Sequence, residues 1–355
     1  MGPTGEVRVA QIHLTRRCNL RCLHCYSSSS PKESECLDIN NLKHALDYLS
    51  QEGYNWISLS GGEPLLYPEL TTLLEHAKKC NLKTALVSNG MLLTEKKLTE
   101  ISALVSLLVL SIDGKPESHN RMRGSEKAFD TLVSRLESVR SSGIPFGFIF
   151  TLTQHNLDEL PWVASFSLNS GGKLLQVHPL GSVGNAVANL SGKMPDAIEA
   201  SYAWMLCQEL QKNTEGRLAI QLDYMYSEVI KENPALIYAK EINNPSDQLL
   251  SQLVSPLIIE PDGEVVPFQF GFPRTHSLGN IMQDSIANQL AHWKTHQWSS
   301  LQRVCQSLLE DIDDKDQPYF VNVYQELIQT ALQLPPLHSP MNVKTDGELV
   351  QGIYR

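Results

Sequence analysis

Three cysteines fall close together in Thr15-Arg-Arg-Cys18-Asn-Leu-Arg-Cys22-Leu-His-Cys25-Tyr26. Thiolates at spacings of four and three let one loop wrap a metal centre. Structural zinc is closed and tetrahedral, so it would want a fourth protein ligand. No cysteine or histidine at a regular distance supplies one, and His24 lies inside the loop, where ligation would strain it. An iron–sulfur cluster held by three cysteines leaves one iron without a protein sulfur, open to another ligand. The other cysteines, Cys36, Cys80, Cys207 and Cys305, are scattered, and seven at such uneven intervals make a poor disulfide framework. A reducing cytoplasm fits this usage.

Ser60-Gly-Gly-Glu-Pro64 is the next segment able to do chemistry. Glycines without side chains let backbone approach a ligand closely, and Glu63 offers an acceptor to an ammonium. An ordinary Gly-Gly turn has the same spacing. His178 reads as a pocket acid, base or substrate contact, or equally as a hydrogen-bonded structural histidine. Arg16 and Arg17 read as solvated charge, Trp293 and Trp298 as packing anchors. Cys80, ending an outer helix, reads as structural, and Cys36 reads either way.

These residues need elements to position them. Strand-like runs occur at Val7–Leu14, Trp56–Ser60, Lys83–Ser88, Leu107–Ile112, Phe146–Leu152 and Lys173–His178. Helical patterns lie between them at Ile39–Gln51, Pro68–Cys80, Thr94–Ala103, Lys127–Ser142 and Leu157–Asn169, the fourth with Phe129, Leu132, Val133, Leu136 and Val139 on one face. This alternation predicts an α/β fold, a parallel sheet with helices packed outside it. Periodicity alone leaves a partial (β/α)6 barrel and an open doubly wound sheet as alternatives. A loop-like stretch places a boundary near residue 190, dividing a core of residues 1–190 from a C-terminal α+β domain of residues 191–355. There a helix is expected at Asp196–Asn213, a strand at Leu218–Leu222, and a hairpin over Leu257–Pro267 with Asp262-Gly263 at its turn.

The 355 residues carry 29 Lys plus Arg against 39 Asp plus Glu, a net charge of −10. That sign argues against a broad grip on nucleic acid or anionic lipid. The most apolar run, Ile101–Ile112, has 12 residues and three serines, too short to span a bilayer, and the N-terminus lacks a signal pattern.

Following a first strand, C-x3-C-x2-C resembles the cluster loop of the radical SAM superfamily. The resemblance implies that Cys18, Cys22 and Cys25 hold a [4Fe–4S] cluster whose open iron is chelated by S-adenosyl-L-methionine. Electron transfer then yields a 5′-deoxyadenosyl radical that abstracts a substrate hydrogen. Gly61-Gly62-Glu63 is similar to the family's methionine-binding motif. Val87-Ser-Asn-Gly90, Ser111-Ile-Asp-Gly114 and His119-Asn-Arg-Met-Arg-Gly124 follow successive strands, where parallel α/β barrels place their ligands. By resemblance Ser88, Asn89, Ser111, Asp113 and Arg123 lie near the cofactor, with Arg123 pairing its carboxylate. His24 and Val177 would contact adenine. The likeness covers roughly residues 8–190.

Pro261-Asp-Gly-Glu-Val-Val-Pro-Phe268 looks like the start of a SPASM or twitch extension, as in peptide maturases, although an unrelated hairpin has the same turn. That family normally has an auxiliary-cluster cysteine where Phe268 stands, and only Cys207 and Cys305 remain beyond residue 190. The extension therefore reads as having lost its metal, which makes redox-neutral outcomes such as epimerisation relatively easier. Epimerisation would need a hydrogen donor, for which Cys305 is the first candidate. No catalytic residue beyond the cofactor machinery is assigned. The leading expectation is modification of a ribosomally made peptide. Leader recognition would fall to the C-terminal domain or a partner protein, because the barrel begins too near residue 8 for a leader-binding module. A flavodoxin- or ferredoxin-type reductant is implied. Biosynthesis of a small molecule such as a haem, quinone or sugar, or a non-catalytic metal-binding partner role, are the alternatives.

Overall fold

The computed structural model describes residues 6–283, 285–314, 319–334 and 336–337. Seven strands, β1 (Val9–His13), β2 (Trp56–Ser60), β3 (Lys83–Ser88), β4 (Leu107–Ser111), β5 (Phe146–Leu152), β6 (Leu174–Pro179) and β7 (Ala219–Leu222), pair in sequence order. Every neighbouring pair among them is parallel. The crossovers carry α1 (Ile39–Gln51), α2 (Leu70–Lys79), α3 (Glu95–Ile101), α4 (Pro116–Arg123), α5 (Ala128–Ser141), α6 (Leu160–Asn169), α7 (Asn185–Asn189) and α8 (Ala197–Asn213).

Local chemistry explains these elements. β4, Leu-Leu-Val-Leu-Ser, is buried along almost its whole length, as a central parallel strand covered on both faces must be. α1 begins where the Asp38 carboxylate accepts from the N–H groups of Asn40 and Asn41, and it buries Leu42, Ala45, Leu46 and Leu49 on one face. α4 is an addition to the expected helices. Pro116 opens it and Gly124, at φ 64°, closes it with a left-handed cap.

Beyond α8 come β8 (Met225–Tyr226), α9 (Ser227–Glu232), α10 (Leu250–Leu253), β9 (Leu257–Ile259), β10 (Glu264–Pro267) and β11 (Gly279–Asn280). They are followed by α11 (Ile286–His296), α12 (Trp298–Asp314), β12 (Phe320–Val321) and α13 (Val323–Gln333). The expected hairpin is present: β9 and β10 are antiparallel, and Gly263, at φ 85°, donates its N–H to Glu260 O. β9 also lies parallel to β1, with Ala10 opposite Leu257 and Ile12 opposite Ile259. The sheet therefore runs β11-β10-β9-β1-β2-β3-β4-β5-β6-β7 and stays open between β11 and β7. It is a partial barrel with a mixed extension.

The proposed boundary at residue 190 falls between α7 and α8, and the sheet continues across it, gaining β7 at one edge and β9 to β11 at the other. One apolar core joins both parts, from Ala10 and Phe148 to Trp293 and Cys305. Among the described residues, no helix is long and apolar enough to cross a membrane.

Candidate active site

β1 runs from His13 into the loop bearing the three cysteines. Gly61-Gly62-Glu63 follows β2, Ser88-Asn89 closes β3, and Ser111 to Asp113 closes β4. In a parallel sheet these carboxyl ends lie side by side, so the motifs meet across long stretches of chain.

The glycine motif sits on the cysteine loop. Gly62 N–H donates to Thr15 O at 2.6 Å, and Glu63 N–H to Arg17 O at 3.0 Å. A Cβ on Gly62 would stand 2.2 Å from Arg17 O, and one on Gly61, at φ 125°, 2.6 Å from Thr15 O. The glycines are thus required by close approach of one backbone to another, and both keep partly exposed surface.

Each sulfur has protein groups beside it. Leu20 N–H lies 3.4 Å from Cys18 Sγ, and Asn89 Nδ2 lies 4.0 Å from the same sulfur while donating to Asn19 Oδ1 at 2.8 Å. Arg123 Nη1 reaches Cys22 Sγ at 3.8 Å. Ser29 N–H and the Ser27 hydroxyl lie 3.3 and 3.5 Å from Cys25 Sγ. From behind, Asn185 N–H donates to Cys25 O at 2.8 Å, and a Cβ on Gly184 would come within 2.2 Å of Tyr26 O.

A buried charge network backs the loop. Arg123 Nε stands 2.5 Å from Asp113 Oδ2, and His24 Nε2 stands 3.3 Å from that oxygen. Both contacts are at ion-pair range without hydrogen-bond alignment. Burial works to raise the Asp113 carboxyl, but Arg123 and His24 outweigh it and hold it well below the usual carboxylate range. His119 Nδ1 accepts the Asp113 N–H at 3.1 Å, and burial holds this imidazole down at about 4.

Burial pushes the Cys18 thiol up to about 12 and the Cys22 thiol to about 11, with Arg123 opposing it at Cys22. A cationic centre reverses that preference, because a coordinating thiol loses its proton. Among the described residues, Asp47, His76 and Cys80 are the one group of three His, Cys, Asp or Glu ligand atoms gathered within 4.8 Å of one another. The three loop sulfurs do not form such a group. Partly apolar surroundings, from Leu20 and Met91, complete a donor set that fits an iron–sulfur cluster.

The structure brings Cys18, Cys22, Cys25, His24, Gly61, Gly62, Asn89, Asp113 and Arg123 together, with Ser88 and Ser111 buried just behind. Glu63 and Val177, expected beside the cofactor, have no exposed surface, as Asp113 has none. The Glu63 carboxylate accepts from the Ser88 hydroxyl at 2.8 Å, Asn89 N–H at 2.9 Å and Leu65 N–H at 3.2 Å, bracing the motif, while burial pushes it up to about 7. Val177 lies in the main apolar core. Cys305 has no exposed surface either, and burial among the apolar residues of α12 pushes its thiol up, so it has no route to a substrate radical. Arg123 already has Asp113 as its anionic partner.

Of the remaining residues, half-exposed His178 pairs through Nδ1 with the Asp223 carboxylate. Arg16 lies 3.4 Å from Glu35, Arg17 is exposed, and Trp293 packs edge-on against Trp298 at 5.8 Å. Cys36 is exposed and Cys80 caps α2. Phe268, at φ 66°, packs against Tyr238 and Phe272 at ring distances of 5.2 and 5.8 Å, an aromatic plug where the resemblance would place a metal-binding cysteine.

Sequence reasoning missed several neighbours of the site. Tyr26 OH lies 3.0 Å from Ser60 Oγ and 3.3 Å from Nδ1 of His13, whose imidazole burial holds down at about 3. Phe270, from the loop after β10, packs 4.9 Å from the His13 ring and 5.2 Å from the Tyr26 ring. Adjacency of Tyr26 to Cys25, and the serine tract at Ser27–Ser30, were the available signals. Asp223 and Phe270 had none.

Residues 12–166 match the model of the Radical SAM superfamily. The chain is 33% identical over 153 residues to the Fe-coproporphyrin III synthase of Methanosarcina barkeri, covering 42% of this chain and 38% of that one. It is 25% identical over 279 residues to the antilisterial bacteriocin subtilosin biosynthesis protein AlbA of Bacillus subtilis, covering 78% of this chain and 58% of that one. The fold superposes on Streptococcus suis SuiB bound to precursor peptide SuiA with a TM-score of 0.64 at 13% identity, covering 90% of this chain and 76% of that one. The chain thus spans only part of the length of either curated relative, 38% of the first and 58% of the second.

Proposed function

Residues 12–166 are a radical SAM domain, and from that premise we propose that the whole chain is an S-adenosyl-L-methionine-dependent radical enzyme that modifies a peptide. The observation that carries the chemistry is the meeting of the buried cysteine loop with the glycine motif and Asn89 at adjacent strand ends. In this reading Cys18, Cys22 and Cys25 hold a [4Fe–4S] cluster. When bound, that cluster and its nucleoside cofactor supply reductive cleavage of a sulfonium to a 5′-deoxyadenosyl radical.

The chain's own residues do the positioning. Leu20 and Ser29 N–H groups, Asn89 and Arg123 surround the sulfurs, and such contacts set a cluster's potential. The partly exposed backbone of Gly61 and Gly62 would approach the cofactor's amino acid, with Glu63 bracing the motif behind them. His24, beside Asp113, would meet adenine in this reading. A flavodoxin- or ferredoxin-type protein would supply the electron.

Peptide as substrate is supported by the similarity to AlbA, which runs past the core into the C-terminal half, and by the resemblance of the hairpin to peptide maturases. A tetrapyrrole or other small molecule is the second reading, favoured by the higher identity, over 153 residues, to the Fe-coproporphyrin III synthase. Anaerobic reconstitution tests the chemistry: about four irons per chain, as a cubane requires, with reductant-dependent 5′-deoxyadenosine, are expected. Zinc bound instead, with no cofactor cleavage, overturns the enzyme reading. Co-expression with candidate precursor peptides tests the substrate. A mass or stereochemical change supports a peptide, and turnover of a porphyrinogen without one supports the alternative.

A further inference from the structure

On the outer surface, α1 and α2 pack side by side and present a second group of ligand atoms. Asp47 lies on α1, His76 in the last turn of α2, and Cys80 at its cap. His76 and Cys80 are four residues apart, so their side chains rise from one helix face. His76 Nε2 is 2.8 Å from Asp47 Oδ1, and Cys80 Sγ is 3.2 Å from the same oxygen. Asp47, one turn beyond His44, also feels the charge of that exposed histidine.

We propose that Asp47, His76 and Cys80 form a site for a divalent transition metal of the zinc type, clipping α1 to α2, with the outward position completed by His44 or water. One carboxylate, one imidazole and one thiol are a ligand set zinc takes, at bond lengths of about 2.0–2.3 Å. Bonds of that length hold their ligands somewhat farther apart than the present hydrogen bonds do, so a small outward movement of half-exposed side chains admits the ion. Entry releases the Cys80 thiol proton to solvent, shifts the His76 ring proton from Nε2 to Nδ1 through water, and replaces the two hydrogen bonds to Asp47 Oδ1 by three metal bonds. The backbone is already fixed, since Cys80 N–H donates to His76 O at 3.0 Å. Ligand rotation, without refolding, builds the site.

The test uses the full chain with Cys18, Cys22 and Cys25 replaced by alanine, so that the loop cannot bind added cobalt. Titration with Co2+ is expected to give a thiolate-to-cobalt absorption band saturating at about one ion per chain. Cys80→Ser should abolish the band, and His76→Ala should weaken binding at least about tenfold. No band in the parent chain, or an unchanged band in Cys80→Ser, overturns the site. Should the triple variant fail to fold, elemental analysis of cluster-reconstituted protein after Zn2+ exposure decides. About one zinc beyond the irons is expected with the native residues and none with Cys80→Ser; equal zinc in both overturns the proposal.

Discussion

Asp113 holds a carboxylate oxygen 2.5 Å from Arg123 Nε with no exposed surface of its own, and the same guanidinium reaches Cys22 Sγ at 3.8 Å. The end of β4 is thereby tied to the cysteine loop through one buried cation.

Removing the anion leaves that cation unpaired, so Asp113→Ala should cost about 3–5 kcal/mol in chemical denaturation. A loss no larger than that of an exposed salt bridge would contradict the pair's buried status. The folded carboxyl lies below its unfolded value of about 3.9. Its stabilisation is therefore present above that pH and lost as pH falls through the lower folded value. Asp113→Asn should flatten the acid limb of the stability curve.

His178 and Asp223 make a different pH prediction. Burial alone would lower the imidazole pKa, but the charge and hydrogen bond of Asp223 overcome it and leave it raised. The pair's contribution is complete below about 6.5, the unfolded value, and disappears as pH rises through the folded value. NMR titration of His178 should show the raised pKa, and Asp223→Asn should bring it back down. An unmoved titration would rule out Asp223 as the cause.

Gly62→Ala places a Cβ 2.2 Å from a carbonyl oxygen of the cysteine loop, where backbone rather than a flexible side chain must yield. The glycine motif and the loop should separate, at a cost of about 1–3 kcal/mol or more. Iron retention after reconstitution should fall while far-ultraviolet circular dichroism stays native-like. Full iron content in the alanine variant would show that the close packing is dispensable.

Cys207 and Cys305 are buried among apolar side chains and are the cysteines found beyond residue 190. Replacing both with alanine should leave iron near four per chain, and cofactor cleavage intact, while lowering the melting temperature through lost packing. Iron well above four in the native chain, falling in this double variant, would mean that an auxiliary cluster exists after all.

Much of the site was legible because its signals are local. Cysteines at spacings of four and three, a Gly-Gly-Glu after a strand and alternating strand and helix patterns all lie in contiguous residues. The hairpin at Asp262-Gly263 was legible for the same reason. β9 was readable as a strand but not as a neighbour of β1, because its three residues say nothing about which edge they join. α4 was hidden by its polarity, since five of its eight residues, Glu117, His119, Asn120, Arg121 and Arg123, carry charged or amide or imidazole side chains and leave little apolar period to detect.

Residue types and spacing alone marked the cysteine loop as a candidate metal site, and they determined the parallel alternating architecture and the positions of the motifs at strand ends. Tertiary structure decided which atoms of those motifs are free. It turned Glu63 inward onto Ser88 and Asn89, buried Val177 and Cys305, paired His178 with Asp223 and set Phe270 against His13. The physical reason is that strand order and the coverage of each face determine exposure and cross-chain partners. Both are properties of the assembled sheet, to which residues more than two hundred positions apart, such as His13 and Phe270, contribute together.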